Sequence, residues 1–228
     1  MKLTLREVQQ ETSDVYSFIF EPVESLQWQA GQYLKYTLPH KNPDDRGVER
    51  DFTIAAPPYE EYPRITTRFS ERSSSFKQAL RKLGAGNTIE AEGPFGKFVV
   101  EDPARDYVFI AGGIGITPFR AIVLAMNYRC HAQPTAVKIL YANRDNEFVF
   151  RKEGDLVVAS NPDMSVRYFV DPDRITEDAI REEARSLNQP LYYISGPAPM
   201  VFSVSDMLKG MGIAEDRIKL DDFPGYED

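Results

Sequence analysis

With 228 residues, 42% of them apolar and 27% charged, the chain has a globular composition and the length for one large domain or two small ones. One cysteine, Cys130, and two histidines, His40 and His131, exclude an iron–sulfur cluster or a structural zinc site within the chain, since each needs about four ligands. The net charge of −8 argues against nucleic acid or an anionic membrane as partner; no stretch approaches the ~18 apolar residues of a membrane span, and the start, MKLTLREVQQ, lacks an apolar leader region, so a cytoplasmic location is expected.

The first hundred residues read mostly as β-structure. In "DVYSFIF" the large residues Tyr16, Phe18 and Phe20 alternate and predict a strand with one apolar face. "QWQAGQYLKYTLP" is a second, aromatic-rich strand entered through Gly31; "RDFTIA", "RITTRFS" and "NTIEAEGPFGKFVV" follow, separated by Gly, Pro, Asn and Asp clusters that mark turns. Short strands at this spacing predict a small antiparallel barrel. One helix interrupts them: in "SSSFKQALRKL" Phe76, Leu80 and Leu83 recur at helical spacing behind a serine N-cap. Residues 64 to 82 hold six basic residues and one acid, a net of +5 in an acidic protein. That stretch is either a solvated helix face or a phosphate site combined with a docking patch for an acidic partner.

After "VEDPARD" strand and helix alternate. "YVFIAGG", "AVKILYANR", "SVRYFV", "LYYISG" and a final "RIKLDDF" read as strands; "PFRAIVLAMNYR", "TEDAIREEARSL" and "PMVFSVSDMLKGMG" read as helices. This alternation predicts a parallel sheet covered by helices. The expected division is a barrel domain over 1–102 and an α/β domain over 103–228.

Three stretches carry candidate chemistry. "FIAGGIGITPFRAI" places Gly112, Gly113, Gly115, Thr117 and Pro118 between a strand and a helix, where α/β sheets bind nucleotides. Glycines admit a pyrophosphate close to the backbone, the helix start offers free N–H groups, and proline is compatible with a first helical turn; a plain glycine-rich turn fits the same residues. In "ERDFTIAAPP", Arg50 and Phe52 share a strand face while Thr53 points the other way. All three meet one ligand only if the chain bends at Thr53. In "FSERSSSFKQ", Ser73, Ser74 and Ser75 open a helix; N-capping accounts for one serine, not three.

The succession "AGQY", "RDFT", serine-rich helix start, "GPFG", "AGGIGITP", "SGPAPM" and a terminal aromatic resembles the ferredoxin–NADP reductase family over essentially the whole chain. The resemblance implies a flavin-binding barrel followed by a nicotinamide-nucleotide domain. It assigns Arg50, Ser74 and Ser75 to the flavin pyrophosphate, Phe52 to the isoalloxazine and Thr53 to flavin N5. It matches Gly112, Gly113, Gly115, Thr117 and Pro118 to the nicotinamide-nucleotide loop, and Ser195, Gly196 and Pro197 to the turn facing the nicotinamide. Asp221 and Phe223 match the family's terminal acid and the aromatic that covers the flavin. Phe52 stands for the usual tyrosine, Ser195 for a cysteine and Asp221 for a glutamate; Cys130, at a helix end, cannot replace that cysteine. These departures are expected to slow hydride transfer rather than abolish it.

Implied cofactors are FAD, favoured over FMN, with NADPH or NADH as co-substrate; Arg144, after the next strand, is a candidate for reading a 2′-phosphate. The implied activity passes electrons between NAD(P)H and a separate one-electron carrier protein such as ferredoxin or flavodoxin. Two alternatives stay open: the reductase subunit of a multicomponent oxygenase-type system, and a low-turnover flavin- or nucleotide-binding regulatory subunit. Whether the last residues, PGYED, fold over the flavin is left open by the sequence.

Overall fold

Strands β1 (Lys2–Gln10), β2 (Val15–Pro22), β3 (Tyr33–Thr37), β4 (Glu49–Thr53), β5 (Arg64–Arg68) and β6 (Thr88–Phe95) form one antiparallel sheet in the order β4-β3-β6-β1-β2-β5. This computed structural model describes residues 1–129 and 135–223. Cys130, His131 and the PGYED segment lie outside the described residues. The chain divides into two units, Met1–Val99 and Val100–Asp228.

In the first unit the sheet curls until its ends approach. Just beyond β4, the Ala55 N–H donates to the carbonyl of Arg64, the first residue of β5, at 2.9 Å. The result is the nearly closed antiparallel barrel that the strand spacing predicts. Alternation decides what lies inside: Leu3, Leu5, Phe18, Phe20, Leu34 and Tyr36 are buried in one cluster. On β2 the opposite face is also covered at Ser17, which is fully buried and bonds Thr66 Oγ1 at 2.8 Å.

Helix α1 (Ser75–Arg81) plugs the barrel. Ser74 is its N-cap and accepts the Lys77 N–H at 3.3 Å. Phe76 and Leu80, one turn apart, are fully buried in the barrel cluster, and Leu83 packs against it. Strand β1 is not anticipated by the sequence reading. Its two inward leucines precede a register shift between Leu5 and Glu7 that breaks the period-2 pattern.

The second unit is a five-stranded parallel sheet in the order β11-β10-β7-β8-β9, with β7 (Tyr107–Gly112) central and fully buried. Its other strands are β8 (Val137–Asn143), β9 (Met164–Val170), β10 (Leu191–Pro197) and β11 (Ile218–Phe223). Helices α4 (Glu177–Ala184) and α5 (Ala198–Gly210) bury Ile180, Val201 and Leu208 against Val108, Ile110 and Ile194 on one face. On the other face α2 (Ile116–Arg129) stacks Phe119 on Phe109 with centroids 4.8 Å apart. Helix α3 (Arg151–Ser160) also packs there, and is the second element the sequence does not announce. Of its few apolar residues Val157 is buried while Leu156 is 63% exposed, and Gly154 interrupts the helical pattern.

Because Phe76 is the residue through which α1 fills the barrel, Phe76→Ala is expected to destabilise the first unit by about 3–5 kcal/mol. Denaturant titration followed by near-UV circular dichroism checks this; a loss below about 1 kcal/mol would contradict the role given to α1.

Candidate functional site

In the barrel, Arg50 and Phe52 do share a face, and it is the interior one. Their cross-strand partners are Tyr36 and Leu34, both fully buried. The Phe52 ring lies 6.0 Å from that of Tyr36 and 5.8 Å from that of Phe76. Thr53 closes β4 on the opposite face at 8% exposure, paired in register with Tyr33.

Arg50 is folded against its own loop. One guanidinium nitrogen, Nη1, donates to the carbonyls of Arg46, Gly47 and Glu49, and Nη2 donates to Asp44 Oδ1 at 2.9 Å. The side chain is only 9% exposed, yet Nε is buried with no hydrogen-bond partner. Leaving such a donor unmade costs about 1–3 kcal/mol; any acceptor would satisfy it, and an anion would do so most strongly.

Each of the three serines has a hydrogen bond, local for Ser73 and Ser74 and long-range for Ser75. Ser73 Oγ accepts the Ser70 N–H at 2.8 Å, Ser74 caps α1, and Ser75 Oγ accepts the Asp44 N–H at 2.8 Å. Asp44 and His40, which the sequence reading passes over, therefore join Arg50 and Ser75 in one network. The only sequence signal for Asp44 is its place in the turn "PDDRG", where a carboxylate bonds the backbone two residues on; Asp44 Oδ1 accepts the Arg46 N–H at 3.1 Å.

The basic stretch 64 to 82 is partly neutralised from within. Arg64 pairs with Glu11 at 3.4 Å and Arg68 with Asp14 at 3.1 Å. The Arg81 guanidinium lies over the rings of Tyr16 and Phe69. Arg72 and Lys82 lie at the start and the end of the helix-bearing part of the stretch, and Lys82 is exposed.

In the second unit the glycine loop lies at the carboxyl end of β7, as a nucleotide loop must. Its glycines serve two different needs. A Cβ on Gly115 would sit 2.2 Å from the Ser195 carbonyl oxygen, and one on Gly112 2.2 Å from Met200 Sδ. Those two glycines make room for β10 and α5. Gly113 alone is left-handed, with φ +53°, and is open above, its nearest neighbour being Asn143 Oδ1 at 3.9 Å. The Thr117 hydroxyl donates to the Ile114 carbonyl at 3.0 Å and is buried. Pro118, also buried, is the third residue of α2, where its missing N–H costs no helical bond.

Ser195, Gly196 and Pro197 end β10 beside this loop. Ser195 pairs in register with Ala111 on one side and Asp221 on the other. Its hydroxyl donates to Asp221 Oδ2 at 3.2 Å. Burial, with a smaller contribution from Asp222, pushes the Asp221 carboxyl up to about 6 against the opposing pull of Ser195. Phe223 is the last residue of β11 and is half-buried.

At the end of β8, Asn143 Nδ2 donates to Asp145 Oδ1 and to the carbonyls of Asp145 and Glu147. Arg144 is exposed on this turn beside the acidic Asp145 and Glu147. An apolar crevice of about 50 Å³ between α2, α3 and the sheet is too small for a nucleotide. Along its lining, Arg120 and Glu153 make a bidentate pair at 2.7 and 2.8 Å.

Residues 109–206 match the family model of the oxidoreductase NAD-binding domain. A component of the Na(+)-translocating NADH-quinone reductase of Haemophilus influenzae (strain PittEE) is 28% identical over 199 residues, covering 80% of this chain and 46% of that protein. The ferredoxin reductase component of the 3-ketosteroid-9-alpha-monooxygenase of Mycolicibacterium smegmatis is 27% identical, covering 100% of this chain and 66% of that protein. The chain thus spans about half the length of the curated relatives it first matches. Among solved structures, the ferredoxin-NADP+ reductase of Plasmodium falciparum superposes with a TM-score of 0.82 at 14% identity, covering 97% of this chain and 95% of that one. The flavohemoglobin-like FAD/NAD-binding domain of the nitric oxide dioxygenase of Vibrio cholerae superposes at 0.81 and 22% identity, covering 97% and 98%. These likenesses show that the chain has the fold of ferredoxin–NADP reductase-like proteins, an antiparallel barrel followed by a parallel α/β sheet. The stretch that matches the NAD-binding domain model lies within the second unit.

Two outcomes follow from this geometry. Gly115→Ala drives a methyl into a backbone carbonyl and is expected to abolish soluble, folded protein. Gly113→Ala meets open space and is expected to cost about 1–2 kcal/mol, from its left-handed backbone alone; thermal unfolding of the two variants separates the cases. Asp221 gives a pH signature. Between its unfolded value near 4 and its folded value of about 6 the native chain binds the extra proton, so stability falls as pH rises through that window and stays lower above it. Asp221→Asn, which cannot ionise, is expected to unfold at a higher temperature than the parent near pH 7.5 and at nearly the same temperature near pH 4.

Proposed function

We propose that this chain is a flavin-dependent oxidoreductase that passes electrons between NAD(P)H and a separate one-electron carrier protein, with ferredoxin or flavodoxin as the carrier class. The observation that carries the reading is the buried, unpartnered Nε–H of Arg50 in a barrel of this fold. It is a donor set aside for an anion, and it lies on the face that also presents Phe52. The second support is the open, left-handed Gly113 at the carboxyl end of a central parallel strand.

Bound flavin supplies hydride exchange with a nicotinamide and the release of electrons one at a time. The residues of the chain do the rest. Arg50 donates to the flavin phosphate, and Phe52 contributes a ring beside it. Gly113 and the start of α2 receive the nicotinamide nucleotide's pyrophosphate. Asp221 holds a proton on its carboxyl up to about pH 6, with the Ser195 hydroxyl fixing its orientation. The carrier's landing surface includes Arg72 and Lys82, cations of the 64–82 stretch. Arg64 and Arg68, held by Glu11 and Asp14, contribute less to an acidic partner.

Of the two nicotinamide nucleotides we infer NADH. Asp145 and Glu147 follow Arg144 closely in the chain and set an acidic field where a 2′-phosphate would have to lie. The similarity to a ferredoxin reductase component over the whole chain favours, as second reading, the same half-reaction within a multicomponent oxygenase system.

An anaerobic visible spectrum of the FAD-loaded protein tests both statements. NADH is expected to bleach the flavin bands at about tenfold lower concentration than NADPH. A flavin that neither nucleotide bleaches would refute the oxidoreductase reading, and a preference for NADPH would refute the nucleotide assignment.

A further inference from the structure

Arg50 already has an anion. Asp44 is held against it from several directions: by Arg50 Nη2 at 2.9 Å, by the Ser75 N–H on Oδ2 at 2.8 Å, and by the Arg46 N–H on Oδ1 at 3.1 Å. Its own N–H donates to Ser75 Oγ at 2.8 Å. That hydroxyl is 2.9 Å from His40 Nε2, and His40 Nδ1 is 2.7 Å from the Leu38 carbonyl oxygen. With Nδ1–H donating to that carbonyl, Nε2 is left to accept the Ser75 hydroxyl proton, which fixes the lone pairs of Ser75 Oγ toward Asp44. Burial alone would raise the Asp44 carboxyl, but the hydrogen bonds from Ser75, Arg50 and Arg46 outweigh it and hold it at about 2. Asp44 therefore stays ionised well below the pH at which an ordinary aspartate takes up its proton.

The inventory of Arg50 donors makes the consequence specific. Nη1 is committed to three backbone carbonyls, Nη2 to Asp44, and Nε alone is unpartnered. A phosphate arriving at Nε brings a second anion to a guanidinium that already carries one. Two like charges sharing one nine-tenths buried cation repel, with Asp44, its side chain 27% exposed, partly screened by solvent. The phosphate must share Arg50 with Asp44 or displace it, and displacement frees an N–H of Ser75 as well as Nη2.

We propose that Asp44 is an internal competitor for the flavin phosphate and sets how tightly the barrel retains its flavin. The inference rests on the flavin reading above and concerns a residue that neither the motif order nor the strand periodicity singles out. Asp44 acts on the phosphate end of the ligand only. Its effect is therefore absent from riboflavin, which has the same ring and ribityl chain and no phosphate.

Equilibrium binding of riboflavin, FMN and FAD to the flavin-free, otherwise intact protein, by isothermal titration calorimetry, tests this. In the parent protein FMN is expected to bind no more than about tenfold tighter than riboflavin, despite the buried arginine. Asp44→Asn keeps an acceptor for the Ser75 N–H and removes the charge. It is expected to tighten FMN and FAD about tenfold while leaving riboflavin within about twofold. Weaker FAD binding in the variant would mean that Asp44 organises Arg50 for the phosphate rather than competing with it, and overturns the proposal. So would an equal shift for all three ligands. If the variant does not fold, the parent's FMN-to-riboflavin ratio decides alone: a ratio above about tenfold overturns the proposal and a smaller one supports it. Binding of none of the three would overturn the flavin reading and this inference together, which separates that failure from a loss of selectivity.

Discussion

At the carboxyl ends of β7 and β10 two stretches of backbone pass so closely that no side chain fits between them. A Cβ on Gly115 would fall 2.2 Å from the Ser195 carbonyl oxygen and 2.6 Å from the Gly196 Cα. That contact fixes where α2 begins and where β10 stops. It also leaves Gly113 as the open point of the loop and keeps Ser195 in register with Asp221 on the far side. A glycine-rich nucleotide loop is commonly explained by the ligand's need for close approach. Here two of its three glycines answer to the protein's own packing, and only one faces space a ligand could take.

The barrel poses the complementary problem of how to satisfy a largely buried guanidinium from within the chain. Three carbonyls and one carboxylate satisfy most of Arg50, and only its Nε–H is left without a partner. Phe52 and Phe76 complete the wall, with the Arg50 guanidinium 5.7 Å from the Phe76 ring centre. The plug helix thus stabilises the fold and limits the arginine's freedom at once. Such dual use matters in a barrel of about one hundred residues, where each large side chain is a sizeable share of the core.

Charge follows the same pattern. The stretch 64 to 82 carries +5 in the sequence, but β5 brings Arg64 and Arg68 beside β2 and the turn before it, where Glu11 and Asp14 pair with them. Those two pairs are substantially buried and neutral as units. The positive charge this stretch presents to solvent is correspondingly smaller than the linear count.

Much of the architecture was written in local patterns. Period-2 aromatics predict the barrel strands, the spacing of Phe76 and Leu80 predicts the plug helix, and strand–helix alternation predicts the parallel sheet, because each pattern is a property of neighbours in sequence. The motif order likewise brings Arg50, Phe52 and the glycine loop into view. Two elements escaped: β1, whose alternation is broken by a bulge, and α3, whose apolar face is too short to register. The sequence alone determined which residue types and which folds were available. Tertiary structure decided their partners: that Asp44, six positions from Arg50, occupies its Nη2; that Ser75 bonds Asp44 across 31 positions of chain; and that Gly112 and Gly115 serve packing while Gly113 stays open. Hydrogen-bond saturation and backbone clearance are set by interatomic distances in the folded chain, and no pattern of residue types encodes them.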